Sequence, residues 1–174
     1  MKVFLLLLAA AVPAVVAQRA VLVSRPAVAA VEQIFFDRLQ KADRVDPFDT
    51  LAYPQGVYLP GYGVVFTAKV DLIQTPAVTP FRLSFTAKEV AQLRDRKLKK
   101  LPLLRTTMKA FLVSAAKSLD PVPAGEQVVV AVALHHWSWE NSAGIPQQIV
   151  FHAERGALLS RLAAADSAIQ SEEY

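Results

Sequence analysis

Three histidines and one glutamate lie close together and are the residues best suited to metal or acid-base chemistry. His135, His136 and Glu140 follow a β-branched apolar run, and His152 lies in the next apolar segment. If these segments form a hairpin with its turn near Ala143, His152 comes opposite His135 or His136, and His136 shares a face with Glu140. A zinc or copper site needs three or four converging ligands. Ordinary strand histidines are therefore the favoured interpretation, with a metal site as the alternative.

Two tryptophans in the same stretch suggest a binding groove. Trp137 and Trp139 are spaced by two residues, so on a strand they point to the same face and would line a groove for a sugar, a peptide or an apolar ligand. Tyr58 and Tyr62 flank a turn earlier in the chain and would extend this groove if the turn lay beside the tryptophans. Filling of the core or of an interface is the commoner role for tryptophan and is the alternative.

A basic patch crowds the first half of a predicted long helix. Its members are Arg94, Arg96, Lys97, Lys99 and Lys100. Such a patch could bind anionic lipid head groups or an acidic partner, which would make the protein a peripheral membrane-surface protein. A solvated helix face beside a core-facing stripe accounts for the same charges, and we favour it.

Recognisable catalytic motifs are absent from the sequence. It has no Gly-x-Ser-x-Gly elbow, no His-Glu-x-x-His pair and no glycine-rich phosphate loop. The Ser-x-x-Lys string at Ser114 lies inside a predicted helix without the companion motifs that this chemistry uses. We therefore assign no catalytic residue and predict no cofactor. A metal-dependent or other hydrolase centred on the second hairpin is the enzymatic alternative.

The stretch from Tyr58 to Phe66 organises the first half of the chain. Pro60 and Gly61 are the pair that a type II turn prefers at its two central positions. From Val64 to Leu72 apolar and more polar residues alternate, which predicts a half-buried antiparallel strand paired with residues 57–59.

The string from Gly61 to Phe66 resembles a group of uncharacterised exported bacterial proteins in which a glycine-tyrosine-glycine element opens an apolar strand. The resemblance covers about a tenth of the mature chain. It implies that the stretch is a family hallmark, and it carries no activity or site residue to this chain.

Helical periodicity and breakers predict the remaining elements. Helices are expected over 27–42, from Ala87 to before Pro121 with a Thr86–Glu89 capping box and a kink at Pro102, and over 157–169. A strand over 126–134 that is covered on both sides continues into 135–140 and returns over 147–155, and the acidic tail 170–174 frays. The fold class is α+β, with an antiparallel sheet of about four strands from two hairpins. The long helix covers one face of that sheet, with the first and last helices beside it.

The N-terminal residues indicate export. A short positive start precedes an apolar run from Val3 to Val16, and Val15-Val16-Ala17 suits a signal peptidase, so residues 1–17 are predicted as a signal peptide before a single domain over 18–174. A retained anchor is the alternative. Cysteine is absent, which excludes disulfides and thiolate chemistry, and the net charge of +4 does not favour nucleic acid.

These features together favour a non-enzymatic binding, interaction or scaffolding module of the bacterial cell envelope. It would be periplasmic or extracellular. Its partner would be another envelope protein or a small ligand, with the membrane surface as a further option.

Overall fold

A computed structural model describes residues 23–76, 79, 84–160 and 167–174. The predicted signal peptide lies outside the described residues, so its cleavage stays a prediction. The elements are α1 (Arg25–Lys41), β1 (Asp49–Leu59), β2 (Gly63–Asp71), α2 (Ala87–Ser118), β3 (Gln127–Leu134), β4 (Gln148–Glu154), α3 (Arg155–Leu159) and β5 (Gln170–Glu173).

The sheet has five strands in the order β1-β2-β3-β4-β5. Adjacent strands are antiparallel except for β2 and β3, which run parallel. The predicted α+β class is confirmed, but the sheet is mixed and has five strands, where an antiparallel sheet of about four strands was predicted. Helix α2 carries the chain back along the sheet before β3 begins, and a crossover of this kind joins parallel strands.

The β1–β2 turn forms as predicted. The backbone N–H of Tyr62 donates to the carbonyl of Leu59 at 3.0 Å, and Gly61 has φ 81°, as a type II turn requires at that position. Gly63 has a different role, because a Cβ atom there would lie 1.9 Å from the carbonyl oxygen of Gln127. The start of β2 can approach the start of β3 only without a side chain at residue 63.

Helix α1 confirms the predicted first helix and buries one unexpected charge. Its core side includes Val28, Val31, Phe35 and Leu39. Glu32 is only 3% exposed. Its carboxylate accepts hydrogen bonds from Arg25 at 2.5 and 2.9 Å and from the backbone N–H of Gly56 at 2.6 Å. Arg25 lies in the same helix and balances the buried charge, while the hydrogen bonds of Glu32 and Arg25 with the backbone of Gly56 join α1 to β1.

Helix α2 starts with the predicted capping box and runs without interruption through Pro102. The backbone N–H of Thr86 donates to Glu89 at 2.8 Å, and Thr86 Oγ1 accepts from the N–H of Glu89 at 3.3 Å. The ring of Phe111 stacks on Phe35 with centroids 4.1 Å apart and meets Phe66 edge-on at 5.3 Å. Helices α1 and α2 therefore share one core with the same face of the sheet.

The second hairpin is shorter than predicted. Strand β3 ends at Leu134, and the N–H of His135 donates to the carbonyl of Val70. His135 to Glu140 consequently belong to the connection before β4, where strand alternation does not apply. The register pairs His152 with Val129, so the prediction that His152 faces His135 or His136 is wrong.

The C-terminal tail is a strand and not a frayed end. Residues Gln170–Glu173 pair antiparallel with β4, and Arg105 donates to both carboxylate oxygens of Glu173 at 2.6 and 2.9 Å. The open edge of β4 supplies the backbone partners that a free tail would lack. Helix α3 corresponds to the start of the predicted last helix, and residues 161–166 lie outside the described part.

The sheet face opposite α1 and α2 carries exposed residues. In β1, Val57 is 50% and Leu59 45% exposed. In β3, Ala133 is exposed, so the predicted cover of β3 on both sides is only partial. None of the described helices is long and apolar enough to cross a membrane.

Candidate functional site

The Lys97 cluster, formed by Lys97, Asp71, Glu140 and His136, lies where β2 and β3 end. Lys97 Nζ is 2.8 Å from Asp71 Oδ1 and 2.5 Å from Glu140 Oε2. The side chains of these three residues are 1–3% exposed. Asp71 also accepts a hydrogen bond from Thr75 Oγ1 at 2.7 Å. A buried lysine is thus held by two buried carboxylates.

Three separate elements bring the cluster together. Asp71 is the last residue of β2, Glu140 follows β3, and Lys97 lies on the core-facing stripe of α2 between Leu93 and Leu101. Since β2 and β3 are parallel, their carboxyl ends lie side by side beneath the first half of α2. Ligands in sheets with parallel strands commonly bind beyond these ends.

Several buried polar atoms at this position have no hydrogen-bond partner among the described residues. They are both ring nitrogens of His136, Oε1 of Glu140 and Nε1 of Trp139. The nearest charge contact of His136 is Glu140, with Nδ1 3.9 Å from Oε2. Buried polar atoms in native proteins are normally bonded to protein, water or ligand. The segment 136–140 therefore holds buried polar atoms whose hydrogen-bonding capacity the described residues do not meet.

An aromatic cleft adjoins the cluster through Trp139. The rings of Phe85 and Trp139 stack with centroids 4.0 Å apart and an interplanar angle of 16°. The cleft has a volume of about 170 Å³. That is room for about six waters, or for one ring of a ligand. It is lined by Pro76, Phe85, Glu89, Gln92, Leu93, Arg96 and Trp139.

The aromatic residues predicted from the sequence do not meet in one groove. Trp139 lines the cleft, whereas Trp137 is 43% exposed and meets the ring of His135 edge-on at 5.0 Å. Tyr58 and Tyr62 belong to the opposite end of β2, next to the start of β3. The length of β3 separates the two ends by about 25 Å.

Tyr58 is fixed to its own surroundings at the turn. Its hydroxyl donates to Glu126 Oε1 at 3.3 Å, and the same oxygen accepts the N–H of Gly61 at 3.1 Å. Burial and the neighbouring carboxylate raise the pKa of Tyr58. Tyr62 is half-exposed beside it.

The histidines predicted as metal ligands occupy separate surroundings. His135 contacts Trp137, His136 lies beside Glu140, and His152 is 3.8 Å from Glu172 across the sheet edge. Within residues 23–76, 79, 84–160 and 167–174, no three histidine or acidic side chains converge as a metal site would require.

The basic patch does not form a continuous solvated face. Lys97 points inward, Lys100 lies 2.7 Å from Asp43 and 3.3 Å from Asp46, and Arg96 lies 3.5 Å from Asp46. Arg94 Nε donates to the carbonyl of Ala143 at 2.7 Å. Lys99 is exposed. Most of the predicted patch thus joins α2 to the loops around it.

Asp71 and Phe85 belong to the site although neither was predicted from the sequence. Asp71 is the polar residue that ends an alternating strand, and Phe85 precedes the helix cap, so neither stands out by type. A signal did exist at Lys97, which is spaced by four residues from both Leu93 and Leu101. A lysine on the apolar stripe of a helix requires a buried acidic partner.

Comparison with protein-family models, curated proteins and solved structures finds no match. Function therefore has to be inferred from the site itself.

Proposed function

We propose that this chain is a non-enzymatic binding module of the bacterial cell envelope, exported by its N-terminal segment, and that its ligand binds in the aromatic cleft. The observation that carries the proposal is the position of Trp139. Its ring forms one wall of the cleft with Phe85, and its buried Nε1 has no hydrogen-bond partner among the described residues. Aromatic walls with a few polar groups are typical of small-ligand sites.

The chemistry of the Lys97 cluster supports binding over catalysis. A catalytic acid, base or nucleophile must reach the substrate with a free proton or lone pair. Lys97 Nζ donates to two carboxylates. Glu140 Oε1 and both ring nitrogens of His136 have no partner among the described residues, but none of the four cluster residues lines the cleft where a substrate would bind. The cluster instead holds the segment that carries Trp139 in place, through the ion pairs of Lys97 with Asp71 and Glu140.

The shape and lining of the cleft favour a ligand that presents one ring. The ring would pack against Leu93 and against the outer side of the stacked Phe85–Trp139 pair, while Gln92 and Arg96 would contact its polar groups from the rim. A sugar ring and an aromatic side chain of a peptide both meet these requirements. Either would come from a small ligand or from an envelope partner.

Tryptophan fluorescence tests the proposal directly, because the chain has only two tryptophans. The variant Trp137→Phe leaves Trp139 as the sole reporter, and Trp139→Phe leaves only the exposed Trp137. Each would be titrated with N-acetylglucosamine oligomers and with a phenylalanine-containing dipeptide. We expect a saturable change in Trp139 emission with one of them and no change in the Trp139→Phe variant.

Two results would count against this function. If neither probe alters Trp139 emission at millimolar concentration, the cleft is not a ring-binding site. If the Trp139→Phe variant responds as strongly as the Trp137→Phe variant, binding occurs elsewhere. Export is checked separately by sequencing the N-terminus of protein recovered from a bacterial host, which should begin at Gln18.

A further inference from the structure

A second open groove lies between the second half of α1 and the middle of α2. It has a volume of about 450 Å³. That volume is within the range of small-ligand sites. Its wall is apolar at Ile34, Ala42 and Ala110, and it also contains two threonines of α2 and three charged residues of α1. The aromatic cleft shares none of these residues, so the groove is a separate feature.

The charged residues of the groove leave one cation without a partner. Asp37 accepts hydrogen bonds from Lys41 at 3.0 Å and from Gln33 at 2.9 Å. These bonds lower the pKa of Asp37, which keeps it ionised and matched with Lys41. No hydrogen bond or ion pair joins the guanidinium of Arg38 to any other described residue, and its Nε is buried. One positive charge therefore remains in the groove.

An unpaired guanidinium that is partly buried requires a hydrogen-bond acceptor. It offers planar N–H donors whose spacing matches the two oxygens of a carboxylate or phosphate. Burial of a donor without an acceptor costs free energy, which an anionic ligand would recover. The hydroxyls of Thr106 and Thr107 donate to the carbonyls of Pro102 and Leu103, so they have no proton to offer an anion, and Arg38 has to supply the hydrogen bonds.

We propose that the groove between α1 and α2 binds a small organic oxyanion, a carboxylate or a phosphate, through Arg38. The anionic group forms paired hydrogen bonds with the guanidinium. A short apolar body packs against Ile34, Ala42 and Ala110. The negative end of the α1 dipole lies nearby and opposes the anion, so Arg38 is indispensable to binding.

Calorimetric titration of the full chain with butyrate, phenyl phosphate and inorganic phosphate tests this site, with butanol as the uncharged match to butyrate. We expect saturable binding of butyrate or phenyl phosphate, and the stronger of the two identifies the source of the anion. Arg38→Gln should weaken it by about tenfold or more, since hydrogen bonds to charged groups contribute roughly 1.5–3 kcal/mol.

The matched control is Arg44→Gln, which removes the same charge from an exposed residue outside the groove. It should bind as the unmodified protein does. Equal weakening in both variants, equal binding of butanol, or no binding of any anion would overturn the proposal. If Arg38→Gln does not fold, Ala110→Leu retains the charge and fills the groove, and it should also abolish binding.

Discussion

Lys97 and Lys100 lie three residues apart on α2 and have the same kind of surroundings. Lys97 is held by Asp71 and Glu140, and Lys100 by Asp43 and Asp46. The shortest Nζ–oxygen ion-pair distances are 2.5 Å and 2.7 Å. The difference is burial: the Lys97 side chain is 1% exposed with carboxylates at 3%, whereas Lys100 is 12% exposed with carboxylates near 30%.

This difference determines what each lysine contributes. The carboxylates of Asp43 and Asp46 can turn to water if Lys100 is removed, so little is lost. Those of Asp71 and Glu140 cannot, and they would remain charged in a site that excludes solvent. Counting ion pairs on α2 would rank the two lysines equally, while the cost of desolvation separates them.

The largest expected effect is that of Lys97→Met. The change leaves two buried carboxylates without their cation, and we expect unfolding free energy to fall by about 3–5 kcal/mol, as measured by urea denaturation. Adding Asp71→Asn and Glu140→Gln removes the stranded charges and should restore part of the loss. A single variant that loses less than about 1 kcal/mol would show that the cluster is solvated.

Lys100→Met should lower the unfolding free energy several-fold less than Lys97→Met in the same urea experiment. Its carboxylate partners are already in contact with water, and exposed pairs contribute little. Lys99→Met provides the control for loss of charge from an exposed position on the same helix. Equal losses at residues 97 and 100 would mean that burial does not separate the two lysines.

The smallest expected effect is the loss of stability when Asp43 is protonated at low pH. The hydrogen bond from Lys100, with those from the backbone of Val45 and Asp46, lowers the pKa of Asp43 to about 2. Because the folded pKa lies below the ordinary value of about 3.9, this contribution is complete above pH 4 and is lost as pH falls towards 2. The difference in urea midpoint between the unmodified protein and Lys100→Met should shrink across that window. Asp43→Asn should remove most of the pH dependence of that difference; an unchanged difference at pH 2 would contradict this assignment.

Local signals account for the parts of the fold that the sequence predicted well. The Thr86–Glu89 capping box and the Pro60–Gly61 turn depend on residues within four positions of one another. The apolar stripes of α1 and α2 likewise follow from helical spacing. Such signals can be recognised in the sequence without knowledge of the tertiary partners.

Long-range pairing accounts for most of the errors. No residue close to β2 in the sequence indicates that β2 pairs in parallel with β3. That pairing depends on where α2 returns the chain to the sheet. Trp137 and Trp139 follow a β-branched run and favour a strand by propensity, but the N–H of His135 bonds to Val70 of β2 and β3 ends at Leu134. The tail 170–174 is polar throughout and becomes a strand only because β4 has an open edge.

The candidate site was predicted in part. His136, Trp139, Glu140 and Lys97 were each singled out, but for three unrelated roles, and Asp71 and Phe85 were not. The residues come from a strand end, a helix stripe and a loop, so only the tertiary structure brings them together.

Gly61 and Gly63 also differ in the substitutions that each position can accept. At residue 61 a side chain would meet open space, so asparagine, which tolerates positive φ, would fit there. At residue 63 any side chain would collide with the backbone of Gln127. A distant relative that keeps the parallel pairing of β2 with β3 must keep glycine at the position of Gly63. A pattern built to find such relatives should hold that position fixed and let the other vary.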